Sequence, residues 1–230
     1  MERVSAGSYD LNKWLYGGWE SDIVSVIYGG AGTGKTNFCL LAGVSLAKKG
    51  KKIIFIDTEG GFSSERVKQL VGNDGDYKEV LKNIFLLKPT NFDEQRKVFD
   101  ELEKYLKKEV DMIIVDGMTI LYRLDFATAR DESDEEIRKI NSILAKQIKI
   151  LAEIARKRDI PVLVTNQVYK WEDMNRMVGG DILKYWGKCL IELVNDKGKR
   201  IALLRKHRSM GEKSFYFQIY DGGIRKRGWI

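Results

Sequence analysis

The sequence predicts an α/β fold in which a mostly parallel sheet is flanked by helices and carries an antiparallel extension at its C-terminal end. Three observations predict it. From Ile23 onward, short Ile- and Val-rich runs alternate with amphipathic stretches, the pattern of strand–helix units feeding a parallel sheet. A glycine-rich loop joins the first of these runs to a helical pattern. After Trp186 the alternation gives way to three successive strand-like runs.

Taken in order, residues 23–28, 52–56, 84–87, 112–115 and 162–165 read as buried strands, each short, apolar and bounded by Gly, Pro, Asp or Asn. The clearest helix spans about 134–157, where Ile137, Ile140, Leu144, Ile148, Leu151 and Ala155 recur at spacings of three or four behind an acidic start that suits the helix dipole. The final runs are 189–194, 201–205 and 215–220, the first two joined by Asn195-Asp196-Lys197-Gly198 as a hairpin turn. No internal repeat, low-complexity tract or proline-rich linker interrupts the 230 residues, so one domain spanning 1–230 is expected.

Composition narrows the function classes. No apolar run approaches the roughly 20 residues of a membrane span, and no basic-then-apolar leader follows Met1, so a soluble cytoplasmic protein without membrane contact is expected. Cys39 and Cys189 belong to no Cys-x-x-Cys pair and read as core residues, while a single histidine, His207, excludes chemistry that needs a histidine pair. A formal net charge of +7 suits a polyanionic partner, and a Lys- and Glu-rich surface equally matches the ion-pair style of heat-stable proteins.

The strongest motif is Gly29-Gly30-Ala31-Gly32-Thr33-Gly34-Lys35-Thr36, which satisfies G-x-x-x-x-G-K-[ST] between a strand and a helix that continues through Asn37 with Phe38, Leu41, Ala42 and Leu46 on one side. Only that strand–loop–helix context aims the loop N–H groups and a helix N-terminus at a phosphate chain. Residues 29–37 are therefore the expected ATP cradle, with Lys35 between the β- and γ-phosphates and Thr36 offering its hydroxyl to Mg²⁺. Met112-Ile113-Ile114-Val115-Asp116 carries one carboxylate to the C-terminal end of a buried strand, where open parallel sheets bind ligands, and makes Asp116 the second metal-site residue. Glu59 ends another strand at the same edge and is either the base that takes a proton from attacking water or a surface carboxylate. Gln167, after Val164-Thr165-Asn166, is placed to feel the γ-phosphate.

These motifs, with Phe55-Ile56-Asp57-Thr58-Glu59-Gly60-Gly61-Phe62-Ser63-Ser64-Glu65-Arg66 and Leu121-Tyr122-Arg123-Leu124-Asp125-Phe126, resemble the ATPase core of the archaeal and eukaryotic RecA-type recombinases over nearly the whole chain. The leading stretch from Gly7 to Gly18 also resembles the segment before the phosphate loop in that family. The resemblance implies a RecA-type P-loop core, a role in homologous recombination and DNA repair, Glu59 as catalytic base, Arg66 near the adenine, and Gln167 as the γ-phosphate sensor that opens the second DNA-binding loop. Only about eight residues precede the matching region, so a core without the family's N-terminal helical DNA-binding domain and polymerisation segment is expected. The second-loop stretch 168–180 is short and the first-loop region runs into acidic residues 131–136.

Together these departures resemble a truncated archaeal recombinase paralogue: ATP-binding and DNA-binding, weak in hydrolysis, regulating recombination through partner recombination proteins without strand exchange of its own. The alternatives are a DNA-dependent ATPase or strand-exchange recombinase, and a KaiC-like RecA-fold ATPase outside recombination. Lys206 and Arg208 look like a Lys-x-Arg finger that some RecA-like ATPases insert into a neighbour's site, which would require a homo-oligomer; a solvated basic hairpin end explains them equally. Expected contacts to single-stranded or branched DNA are Arg123 and Arg130 on the first loop, Lys170, Trp171 and Arg176 on the second, and the basic tail 225–230.

Overall fold

In the computed structural model, which describes residues 2–73, 75–106, 109–171 and 174–228, with the side chains of 170, 171, 174 and 175 outside the description, the chain alternates strands and helices as expected. It opens with β1 (Arg3–Val4), α1 (Tyr9–Trp14) and β2 (Trp19–Glu20), where β1 and β2 pair as a small antiparallel ribbon. Next come β3 (Val24–Gly29), α2 (Lys35–Ala47), β4 (Ile53–Asp57), α3 (Ser64–Val71), α4 (Tyr77–Lys82), β5 (Ile84–Leu87), α5 (Phe92–Asp100), α6 (Leu102–Tyr105) and β6 (Met112–Asp116). The second half holds α7 (Ile120–Glu132), α8 (Asp134–Arg158), β7 (Val162–Trp171), β8 (Met174–Met177), α9 (Gly180–Trp186), β9 (Cys189–Asp196), β10 (Lys199–His207), β11 (Lys213–Tyr220) and β12 (Gly223–Lys226).

The main sheet has the order β12-β11-β10-β9-β3-β7-β6-β4-β5, with β8 folded back on β7. From β9 to β5 the neighbours are parallel, and from β9 outward to β12 they are antiparallel. The central strands read as unbroken apolar runs because both faces are covered. Ile53, Phe55, Met112 and Ile114 join the core built with α2 and α3, whereas Ile54, Ile56, Ile113 and Val115 join the core built with α5, α7 and α8. This is the mostly parallel sheet with a C-terminal antiparallel extension that the sequence predicts.

β5 was expected to be buried but is half-buried along its length, because it is the sheet edge and pairs only with β4. Helix α2 is buried through consecutive residues Phe38–Val44 rather than on one side, since it is packed between the sheet, α3, α4 and β12. The first-loop region that carries Arg123 and Arg130 is helix α7, whose Leu121, Tyr122 and Ala129 are buried. The acidic run 131–136 ends that helix and starts α8, where Ser133 caps by accepting from Glu136 N–H and Asp134, Glu135 and Glu136 complement the dipole. β7 continues six residues past the expected Thr165 and returns as β8. The supposed tail to Lys226 is strand β12 on β11; Trp229 and Ile230 lie outside the described residues.

The 189–205 hairpin turns through Lys197 and Gly198, both left-handed at φ 48° and 80°, the geometry that matches strand twist in a two-residue loop. Cys39 and Cys189 are buried free thiols, and burial pushes the Cys189 thiol up to about 12. Among the described residues no helix is long and apolar enough to cross a membrane.

Candidate nucleotide site

β3 delivers Gly29 to the carboxyl edge of the sheet, and α2 begins six residues later with left-handed Gly34 (φ 109°) as its N-cap. Helices α1, α3, α4, α5 and α8 each open on a side chain that accepts a backbone N–H, from Ser8, Ser63, Asp76, Asn91 and Ser133. Helix α2, like α6, α7 and α9, has no such cap among the described residues, and its first N–H groups at the end of the glycine-rich loop are available to an anion. The loop is held in shape by Thr33, whose hydroxyl donates to the Gly30 carbonyl at 2.8 Å. At φ 109° Gly34 occupies backbone space that favours glycine, and a Cβ there would also press on Ile219 Cδ1 of β11 at 2.8 Å.

Lys35 is 7% exposed, and its Nζ donates to the Gly29 and Gly30 carbonyls at 3.1 and 2.9 Å. Burial lowers the pKa of this ammonium from the ordinary lysine value, and the carboxylates of Glu59 and Asp116 oppose that shift. Asp116 ends strand β6, and Glu59 lies in the loop two residues past β4 rather than at the strand end expected. Asp116, at the end of β6, accepts from Thr36 Oγ1 at 2.7 Å through Oδ2 and from Thr165 Oγ1 at 2.7 Å through Oδ1. Burial raises its pKa above the usual carboxylate value against the lowering effect of both hydroxyls, with Glu59 and Asp57 adding to the rise. A hydroxyl and a carboxylate side by side beside an uncapped helix N-terminus and a lysine form the donor set of a hard divalent cation bridged to phosphate oxygens, so these residues fit Mg²⁺ and a nucleoside triphosphate.

The loop after β4 carries the second acid. Asp57 pairs in register with Asp116, and its carboxylate accepts from the Gly61 and Phe62 N–H groups, both at 3.0 Å. That cap turns the chain so that Glu59 is exposed at the sheet edge, where its Oε1 accepts from Gln167 Nε2 at 3.2 Å. Gly61 lies over Thr36 and Asp116, and a Cβ there would be 3.2 Å from both Asp116 Oδ2 and Thr36 Oγ1. Arg66 on α3 reaches α2 and β11 together: Nε donates to Asn37 Oδ1 at 2.9 Å, and its two terminal nitrogens donate to the carbonyls of Tyr220 and Asp221.

The structure therefore brings Lys35, Thr36, Asn37, Glu59, Asp116 and Gln167 to one edge, with Arg66 attached beside Asn37. Three contributors went unread in the sequence: Thr165, Asp57 and Thr58, whose hydroxyl donates to the Gly117 carbonyl at 2.6 Å. All three flank residues already singled out, and their signal was a polar residue at the end of an apolar run.

Lys206 and Arg208 lie elsewhere. β10 is antiparallel to β9, so His207 pairs with Cys189 and through it with Ser25, at the amino-terminal end of β3 opposite the cradle. Lys206 Nζ donates to the Lys184 and Gly187 carbonyls at 2.7 and 2.9 Å, and Arg208 pairs with buried Glu20 and with Asp22. Neither is a simple solvated hairpin end. Of the expected DNA contacts, Arg123 and Arg130 are exposed on α7 and Arg176 is exposed on β8 opposite Tyr169. The side chains of Lys170 and Trp171 lie outside the described residues. Arg176 borders a cleft of about 780 Å³ between α7, α8, the β7–β8 hairpin and α9, with Tyr122, Tyr169, Asp181 and Lys184 in its lining.

The family model described as Rad51 matches residues 1–227. Curated relatives described as DNA repair and recombination protein RadB include that of Methanobrevibacter smithii, 40% identical over 225 residues covering 93% of this chain and 92% of the relative. The RadB of Methanococcoides burtonii is 40% identical over 228 residues, 97% of this chain and 98% of its own. That of Methanocaldococcus jannaschii is 37% identical over 214 residues, 93% and 98%.

Proposed function

The chain belongs to the Rad51 family, and on that premise we propose that it is a DNA-binding recombinase paralogue that uses ATP as a conformational switch in recombinational DNA repair, hydrolysing it slowly. The observation that carries this reading is the contact between Gln167 Nε2 and Glu59 Oε1, which ties the candidate base to the strand that continues into the β7–β8 hairpin. Mg²⁺, when bound with ATP, neutralises charge on the β- and γ-phosphate oxygens. The chain's own part is to bind through the α2 N-terminus and Lys35, to hold Thr36 and Asp116 as metal-site ligands, and to offer Glu59 to the attacking water. Lys35 Nζ bonds two loop carbonyls and must exchange them for phosphate oxygens, and the Gln167 amide on Glu59 Oε1 weakens the carboxylate as a base. That favours slow turnover.

For DNA, the exposed guanidinium groups of Arg123, Arg130 and Arg176, with Lys184 in the cleft, supply phosphate contacts, and half-exposed Tyr169 supplies a stacking face. Action through partner recombination proteins, without strand exchange by this chain alone, completes the reading.

The test is ATP turnover of the purified protein with and without single-stranded DNA at low and moderate salt, with Lys35→Ala as the contamination control, alongside DNA binding. Slow turnover indifferent to DNA, with DNA still bound, is the expected result. Strong stimulation by DNA would replace the switch with a DNA-dependent motor.

A further inference from the structure

Asn166, next to Gln167 on β7, is fully buried, and its amide holds three partners on different elements. Oδ1 accepts from the hydroxyl of Thr119, the residue that opens α7, and from the Gln167 N–H at 2.9 Å. Nδ2 donates to the Val178 carbonyl at 2.7 Å. The Val178 N–H in turn donates to the Gln167 carbonyl at 3.2 Å, so both polar backbone groups of Val178 hang on residues 166 and 167. Val178 is where the chain leaves β8 and turns through left-handed Gly179 (φ 60°) into α9.

Thr119 and Val178 are themselves buried, and Val178 packs in the core formed with α8. In such surroundings an amide cannot rotate without leaving a donor or an acceptor unpaired, at a cost that water does not repay. A displacement of the Gln167 backbone is therefore transmitted through one side chain to the start of α7 and to the root of the hairpin at once.

We propose that Asn166 is a positioning residue that converts the engagement of Gln167 at Glu59 into the setting of two elements, the β7–β8 hairpin through Val178 and α7 through Thr119. The proposal rests on the ATP-switch reading and assigns its transmission to one buried amide. Those two elements carry Arg176, which borders the cleft, and Arg123, which is exposed on α7, so the relay sets the spacing of two candidate phosphate contacts.

Three variants separate its arms. Thr119→Val removes the hydroxyl with little change of shape and leaves Asn166 Oδ1 its Gln167 N–H; Thr119→Ser restores the hydroxyl. Asn166→Asp keeps the acceptor for Thr119 and Gln167 but turns an oxygen toward the Val178 carbonyl. Amide hydrogen exchange over residues 119–124 and 168–178, and affinity for single-stranded DNA, are measured with ATP and with ADP, together with ATP affinity itself.

The parent is expected to show a nucleotide-dependent difference in both exchange segments and a DNA-affinity ratio of about fivefold or more. In Asn166→Asp the 168–178 difference and the affinity ratio collapse toward unity while ATP still binds. In Thr119→Val the 119–124 difference is lost, and in Thr119→Ser it returns. Retention of the parent's differences in both Asn166→Asp and Thr119→Val overturns the relay and leaves the switch reading standing. Should Asn166→Asp not fold, the Thr119 pair decides through 119–124 alone. A parent whose DNA affinity responds to nucleotide while neither segment's exchange does also overturns the relay only; a parent with no response of either kind overturns the switch reading and the relay with it.

Discussion

Thr36 and Asp116 stand 80 positions apart in the chain and share a hydrogen bond of 2.7 Å, Oγ1 to Oδ2, at the carboxyl edge of the sheet. The parallel arrangement of β3, β7, β6 and β4 brings these ends level, so two residues remote in sequence meet at one edge.

Asp116→Asn tests that contact through pH. Burial raises the carboxyl pKa in the folded chain, so the folded state binds a proton that the unfolded state has already released. The contribution to stability is fully present below the ordinary Asp value and is lost as pH rises through the raised folded value. Without nucleotide, Asp116→Asn should flatten the pH dependence of the Tm in that window. With Mg²⁺ and ATP the parent should gain stability that the variant does not. A variant whose melting follows the parent under both conditions would remove Asp116 from the metal site.

Glu59→Gln keeps the shape and a hydrogen-bonding oxygen but removes the base. ATP should still bind, and single-turnover hydrolysis should fall by about 10²- to 10⁴-fold. Equal turnover in the two proteins would assign the proton to another group.

Thr165→Val deletes the buried hydroxyl that donates to Asp116 Oδ1 and accepts the Gly117 N–H, both at 2.7 Å. Two buried polar groups lose a partner, so unfolding free energy should drop by about 1–3 kcal/mol in urea titration. The Mg²⁺ requirement for ATP binding should shift to higher concentration as Asp116 loses its orientation. Unchanged stability would mean that water replaces the hydroxyl.

Arg208→Ala distinguishes an intrachain role from a finger in a neighbouring site. Glu20, 2% exposed, faces Arg208, Arg3 at 3.0 Å and His207 Nε2 at 3.2 Å. Removing one cation from a buried acid should lower the Tm by several degrees, since about 1 kcal/mol is worth roughly 2–4 °C in a chain of this size. A variant that melts like the parent yet loses ATP turnover would instead place the guanidinium in a neighbour's site.

Much of the fold was legible because its signals are local. Alternating Ile/Val runs and amphipathic stretches marked five strands and the helix at 134–157, which ends one residue later than expected. The misread parts depended on distant partners. β5 is half-buried because no strand follows it at the edge, and residues 120–132 are helical because Leu121 and Tyr122 pack in the core with Leu144 and Ile148 of α8. The continuation of β7 to Trp171 requires β8 to fold back on it.

By itself the sequence determined the five parallel strands, the long helix α8, the glycine-rich strand–loop–helix at 29–36 and the place of Asp116 at the end of β6, since spacing and glycine content encode these locally, whereas Glu59 lies two residues past β4 and Gln167 inside β7. Tertiary structure alone decided that Thr36 and Thr165 share one carboxylate, that Gln167 meets Glu59, and that Lys206 and Arg208 lie at the edge opposite the cradle. Each of those relationships depends on register between strands remote in the chain, which is set by packing in two cores and by the direction in which β10 returns, and no local pattern records either.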